Sequence, residues 1–205
     1  MKNPLYRPHT LLLAALLLLA APALWSCNSE TTLQKSLREH GEQLRIIDED
    51  TIQRYLQRNN LTARATRTNS GLYVVGITEG TGTPVTTGRS VRVKYLGRFL
   101  SNGAHPSSSG RPASEGYPRF PAGSIFDNSA TNRTECGCAI FTAGSGAIAG
   151  FSEGLLLMRK GDRKLVLIPS RLAYGPGGST DPVTGQLSIP PDAALSFDIE
   201  VLDVL

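Results

Sequence analysis

Cysteine and histidine are scarce, three of each among 205 residues. Beyond the first 27 residues only Cys136, Cys138, His40 and His105 remain. That is the bare minimum for one zinc site of about four ligands, so no metal and no cofactor is expected. Cys136 and Cys138 flank a single Gly137, a spacing that allows either a tight loop bridge or two free thiols. An excess of one charge is missing too. The formal charge is +4, and +2 once Lys2 and Arg7 are set aside. Arg58, Arg64 and Arg67 are scattered through a polar stretch with no aromatics interleaved, which argues against nucleic acid as a partner. No apolar run is long enough for a transmembrane helix. The longest, Leu11 to Trp25, has 15 residues against the roughly 20 that span a bilayer. Internal repeats are absent.

What the N-terminus does hold is an export pattern. Lys2 and Arg7 precede the apolar run, as in a secretory signal. Leu24-Trp25-Ser26-Cys27 then resembles a bacterial lipobox, which makes Cys27 the expected acylated N-terminus of the mature chain. The expected division is a signal over 1–26, an acylated cysteine with a helical arm and linker over 27–70, and a domain over 71–205. The expected location is the bacterial cell envelope, lipid-anchored and facing the periplasm. In that setting the sequon Asn132-Arg133-Thr134 is a coincidence.

Leu33, Leu37 and Leu44 recur at helical spacing, and a second short helix is expected to start at Asp48 or Asp50 and bury Ile52, Tyr55 and Leu56. This arm reads as a spacer packed lightly on the domain, with a dimerisation or substrate-capturing arm as the alternative; the oligomeric state is left open. Residues 61–70, polar and poor in large apolar side chains, read as a linker. From Gly71 onward the pattern is that of strands. Leu72-Tyr73-Val74-Val75 and Val91-Arg92-Val93-Lys94-Tyr95-Leu96 are rich in β-branched and aromatic residues, and the second alternates apolar with polar. Ile148 to Met158 is the single helical segment, and Arg163–Ile168 and Leu195–Leu202 complete the strands. The fold class is α+β: a curled antiparallel β-sheet wrapped over one short α-helix, preceded by a short helical arm.

Five motifs follow in order: Val91 to Gly97, Phe126-Asp127-Asn128-Ser129, Ile148-Ala149-Gly150-Phe151-Ser152-Glu153-Gly154, Ala173-Tyr174-Gly175, and Ile189-Pro190-Pro191 through Leu195-Ser196-Phe197-Asp198. With Met158-Arg159-Lys160-Gly161-Asp162 they cover essentially all of residues 71–205. In this order they resemble the FKBP-type peptidyl-prolyl cis-trans isomerases.

The resemblance implies proline-containing polypeptides as partners, with a membrane reached through the lipid anchor. It implies a prolyl pocket with catalytic residues Tyr95, Phe126, Asp127 and Tyr174 and substrate-binding residues Ile148, Phe151, Ile189 and Phe197. Phe151 is the expected floor and Tyr95, Phe126 and Phe197 the walls. The Ile148 N–H and the Tyr174 hydroxyl hold substrate carbonyls, Asp127 sits beside the twisting amide, and Ile189 borders the pocket. Four departures from the family pattern stand out. Phe151 replaces the usual Trp, Ser188 stands where an aliphatic residue is common, the segment before Ile148 is one residue short, and insertions lie at 101–123 and 176–187. The alternative reading is a peptide-binding or chaperone module without catalysis, or a structural envelope lipoprotein.

Overall fold

The structure, a computed structural model, describes residues 30–108, 111–131 and 134–205. The expected signal segment, Cys27 and the Asn132-Arg133 pair of the sequon lie outside the described residues. Among the described residues no helix is long and apolar enough to cross a membrane. In chain order the elements are α1 (Thr32–Arg58), β1 (Ala65–Arg67), β2 (Tyr73–Thr78), β3 (Ser90–Phe99), β4 (Ile125–Asn128), β5 (Ala139–Thr142), α2 (Ala149–Leu156), β6 (Arg163–Ile168), β7 (Ser179–Thr180), β8 (Leu187–Ile189) and β9 (Leu195–Val204). Residues 36–205 form one compact unit, and the packing described below lies within it.

Seven strands form one antiparallel sheet in the order β1-β2-β6-β9-β3-β4, with β5 also paired to β3. Alternation explains β3: Val91, Val93, Tyr95 and Phe99 are buried, while Arg92, Lys94 and Arg98 are not. On β9, Leu195, Phe197, Ile199 and Val201 turn to the same core, and Asp198 faces outward in a two-pronged pair with Arg163 at 2.9 and 2.8 Å. The short helix α2 closes this core. Gly150 and Gly154 permit its close approach, since a Cβ on Gly150 would run into the Ile168 side chain and one on Gly154 would crowd Val166.

Strands β2 and β6 are buried on both faces. Val74, Val166 and Ile168 point to the α2 side, whereas Tyr73, Val75 and Leu167 meet Ile52 and Leu56 of α1 in a second cluster. The expectations for the arm and the linker are corrected here. The arm is one continuous helix of 27 residues, and it is tied into the domain. Its buried residues are His40, Leu44, Asp48, Ile52 and Leu56, spaced by four, so a single row of the helix faces inward. Asp48 does not cap a helix start, because its carboxylate is already used: Oδ2 accepts from the Ser170 N–H at 2.8 Å and the Ser170 hydroxyl at 2.7 Å. The expected linker likewise contains β1, whose backbone pairs with β2.

Burial of Asp48 raises its pKa to about 6, against the lowering effect of the two Ser170 bonds and with a further rise from the Asp192 charge. The folded state thus binds this proton more tightly than the unfolded chain, and the contribution of Asp48 to stability falls as pH rises from about 4 to about 6. Asp48→Asn keeps an acceptor for Ser170 without the charge. It is expected to gain stability relative to the wild type between pH 4 and pH 7 in urea unfolding. A difference that stays constant over that range would show that the carboxylate does not titrate there.

Candidate active site

β3 carries Tyr95, β4 Asp127, β9 Phe197, and α2 carries Phe151 with Ile148 as its N-cap residue. Tyr174 precedes the tight turn Gly175–Gly177. These residues line a cavity of about 160 Å³, completed by Phe141, Gly146 and Ala147. Phe151 is 2% exposed, and the rings of Phe141, Phe197 and Tyr95 surround it at centroid distances of 4.8, 5.1 and 5.8 Å. Angles of 53–79° between those rings and Phe151 are edge-on or tilted, the arrangement that aromatic quadrupoles favour. The result is an aromatic floor edged by polar groups.

The rim has three parts. The Tyr95 hydroxyl donates to Asp127 Oδ2 at 2.9 Å, which fixes the carboxylate at the cavity. Tyr174 is partly exposed, and burial together with the nearby Asp127 charge pushes its phenol pKa up, so at neutral pH it is a hydroxyl donor. Ile148 starts α2, and among the described residues nothing accepts a hydrogen bond from its N–H. That leaves the donor available to a carbonyl entering the cavity. The short segment before it still reaches the site because Gly144 and Gly146 adopt φ of 85° and 79°, a region that glycine enters without the Cβ clash.

Two expected site residues are not among those lining the cavity. Phe126 does not line it: its ring lies 4.9 Å from Phe99 and perpendicular to Phe197 at 5.4 Å. Close packing at Gly97, where a Cβ would touch both the Phe126 and Phe197 rings, holds it there. Ile189 on β8 is 5% exposed and belongs to the main core. Its neighbour Ser188 is explained locally, since the hydroxyl donates to the Ser179 carbonyl at 3.1 Å across the β7–β8 pair. Neither insertion contributes to the cavity lining.

Phe141 was not expected. The signal that finds it is the alternation of β5, in which Ala139 and Phe141 face inward and Ile140 outward. Ser129 supports the site from behind: its hydroxyl accepts from the Tyr95 N–H at 3.0 Å and donates to the Gly137 carbonyl at 2.9 Å. Beside it, Cys136 and Cys138 form a disulfide, with Cα atoms 5.2 Å apart, which removes both from metal binding. A larger cavity of about 460 Å³ lies among Arg64, Arg67, Glu79 and Lys164. It contains no aromatic side chain, so size alone does not mark the candidate site.

A family model described as FKBP-type peptidyl-prolyl cis-trans isomerase matches residues 82–202. The chain is 28% identical to the FKBP-type 22 kDa peptidyl-prolyl cis-trans isomerase of Escherichia coli over 181 residues, covering 84% of this chain and 72% of that one. It is 31% identical to a probable FKBP-type peptidyl-prolyl cis-trans isomerase of Haemophilus influenzae over 137 residues, covering 67% of this chain and 44% of that one. Among solved structures, the crystal structure of FkpA from Escherichia coli aligns with a TM-score of 0.53 at 23% identity, covering 99% of this chain and 75% of that one. This last likeness is one of fold.

Proposed function

Because this chain belongs to the FKBP-type peptidyl-prolyl cis-trans isomerase family, we propose that it rotates X–Pro amides in the cavity over Phe151, and that it does so for exported proteins from a lipid anchor on Cys27. The observation that carries the first part is the cavity itself: an aromatic floor over which Asp127, Tyr174 and the Ile148 N–H stand as polar groups.

The chemistry follows from the amide. Rotation out of plane must overcome about 18–20 kcal/mol, and the twist removes the resonance that makes a planar amide polar. Moving the amide from water onto the aromatic floor disfavours the planar, polar form more than the twisted one, which lowers the barrier with no nucleophile and no proton transfer. The Ile148 N–H and the Tyr174 hydroxyl hold flanking carbonyls, so the prolyl ring rests on Phe151 while the preceding segment turns. The Asp127 carboxylate, oriented by Tyr95, stands beside the carbonyl carbon, whose partial positive charge is least quenched when the amide is twisted. One neutral hydrogen bond contributes about 1 kcal/mol, under a tenfold gain in rate, so desolvation and several bonds act together. Unaided isomerisation takes tens to hundreds of seconds, slow enough to limit folding.

Support for the location comes from the charged start, the apolar run and the Leu24-Trp25-Ser26-Cys27 sequence. Acyl chains contribute about 0.8 kcal/mol per buried methylene, so several chains on one cysteine hold a protein to a membrane durably. Two measurements test the proposal. Refolding of a protein limited by X–Pro isomerisation is expected to accelerate in proportion to added enzyme, and an unchanged slow phase would remove the folding role. Radioactive palmitate is expected to label the wild type and not Cys27→Ala; label persisting in that variant would contradict the anchor.

A further inference from the structure

His40 on α1, His105 in the 101–123 insertion and Asp192 in the loop before β9 meet in one cluster, with ligand-capable atoms all within 4.8 Å of one another. Their hydrogen bonding does not close without a further cation. His105 Nδ1 lies 2.9 Å from the Pro106 carbonyl, which only accepts, so Nδ1 carries the proton. In the neutral ring Nε2 then presents a bare lone pair, and it faces Asp192 Oδ2, another acceptor, at 3.6 Å. His40 offers Nε2 to that same oxygen at 2.9 Å and Nδ1 to the Ser108 hydroxyl at 3.1 Å. The second carboxylate oxygen, Asp192 Oδ1, is buried with no hydrogen-bond partner among the described residues, on a side chain 1% exposed.

We propose that His40, His105 and Asp192 form a binding site for a divalent transition-metal ion of the zinc class, with the two Nε2 atoms and the Asp192 carboxylate as ligands. Such an ion relieves the meeting of two lone pairs at Asp192 Oδ2 and brings positive charge to the buried carboxylate. It accepts the His105 lone pair and supplies a positive partner to Asp192. Metal–ligand bonds of about 2.0–2.1 Å in a tetrahedron place ligand atoms about 3.3 Å apart, and the observed 2.9 and 3.6 Å to Asp192 straddle that spacing. Two imidazoles and one carboxylate suit zinc and its neighbours, whereas calcium and magnesium favour all-oxygen shells.

The supporting groups are those a metal-bound histidine needs. Ser108 Oγ holds the far nitrogen of His40, and the Pro106 carbonyl that of His105, which fixes each ring with Nε2 turned inward. Asp192 itself sits at φ 59°, unusual for a residue with a side chain, with its N–H donated to the Gly175 carbonyl at 2.9 Å. A cavity of about 340 Å³, lined by His105, Asp192, Tyr117 and Pro176 among others, adjoins the cluster and gives a fourth position to water or a ligand. The ion thereby clamps α1, the insertion and, through Gly175, the turn that follows Tyr174.

The competing occupant is a proton on His105, which would make an ordinary ion pair. The full chain, purified in detergent and stripped with chelator, is titrated with zinc by calorimetry and followed by thermal unfolding. Expected are one zinc per chain, a Tm that rises with zinc concentration, and affinity at least tenfold lower in His105→Gln. Cobalt added to the stripped wild type is expected to give the visible absorption of a four-coordinate nitrogen and oxygen site, a readout independent of whether the variant folds. Absence of that absorption, no zinc-dependent Tm, or equal affinity in a folded His105→Gln overturns the site.

Discussion

Asp127→Ala is expected to lower kcat/KM on a short X–Pro peptide about 10- to 100-fold while leaving the far-ultraviolet circular dichroism unchanged. The range follows from the contribution of a charge-assisted interaction, about 1.5–3 kcal/mol, if it is formed with the twisted amide and absent in free enzyme. Asp127 is half-buried and its carboxylate contacts the Tyr95 hydroxyl, so the variant removes a group at the cavity rim and leaves the aromatic basin intact. Tyr95→Phe keeps the ring that packs on Phe151 and removes only the orienting hydroxyl, so its loss is expected to be smaller. A peptide isomerisation rate unchanged by Asp127→Ala would strip Asp127 of the role given to it.

The second large effect concerns stability. Leu56→Ala is expected to cost about 2–5 kcal/mol, the range for truncating a buried leucine in a packed core. Leu56 is 1% exposed and sits among Tyr73, Val75, Leu100, Leu167 and Ala194. Guanidinium unfolding measures the difference. A change under about 0.5 kcal/mol, typical of an exposed position, would mean that α1 rests on the sheet without being part of its core.

These two residues mark how differently the sequence reports its parts. Asp127 and its partners were legible because β3 and β9 each keep one face toward water, so alternation betrays the inward set Val91, Val93, Tyr95, Phe197 and Ile199. Motif order then placed Asp127, Phe151 and Tyr174 together, as the cavity does. Ring direction is a different quantity. It depends on packing at Gly97 and Phe99, which no spacing encodes, and so the motif puts Phe126 in the wall while its ring packs against Phe99 and Phe197.

From sequence the arm divides into two loosely attached helices, because its buried row, His40, Leu44, Asp48, Ile52 and Leu56, includes a histidine and an acid and leaves only a narrow apolar stripe. An inward stripe with charged members looks discontinuous until Ser170 and Asp192 are seen to meet them. β1 is three residues, Ala-Thr-Arg, held by backbone pairing and not by side-chain pattern. His40 and Asp192 are 152 positions apart, so their meeting has no local signature at all.

Peptide isomerisation measured by fluorescence or by NMR exchange on an X–Pro peptide is the most direct measurement of the central claim. A cis-to-trans rate that increases linearly with enzyme concentration is the predicted result. Saturable binding of the same peptide with no rise above the uncatalysed rate would contradict it, and would make the cavity over Phe151 a peptide-binding site and nothing more.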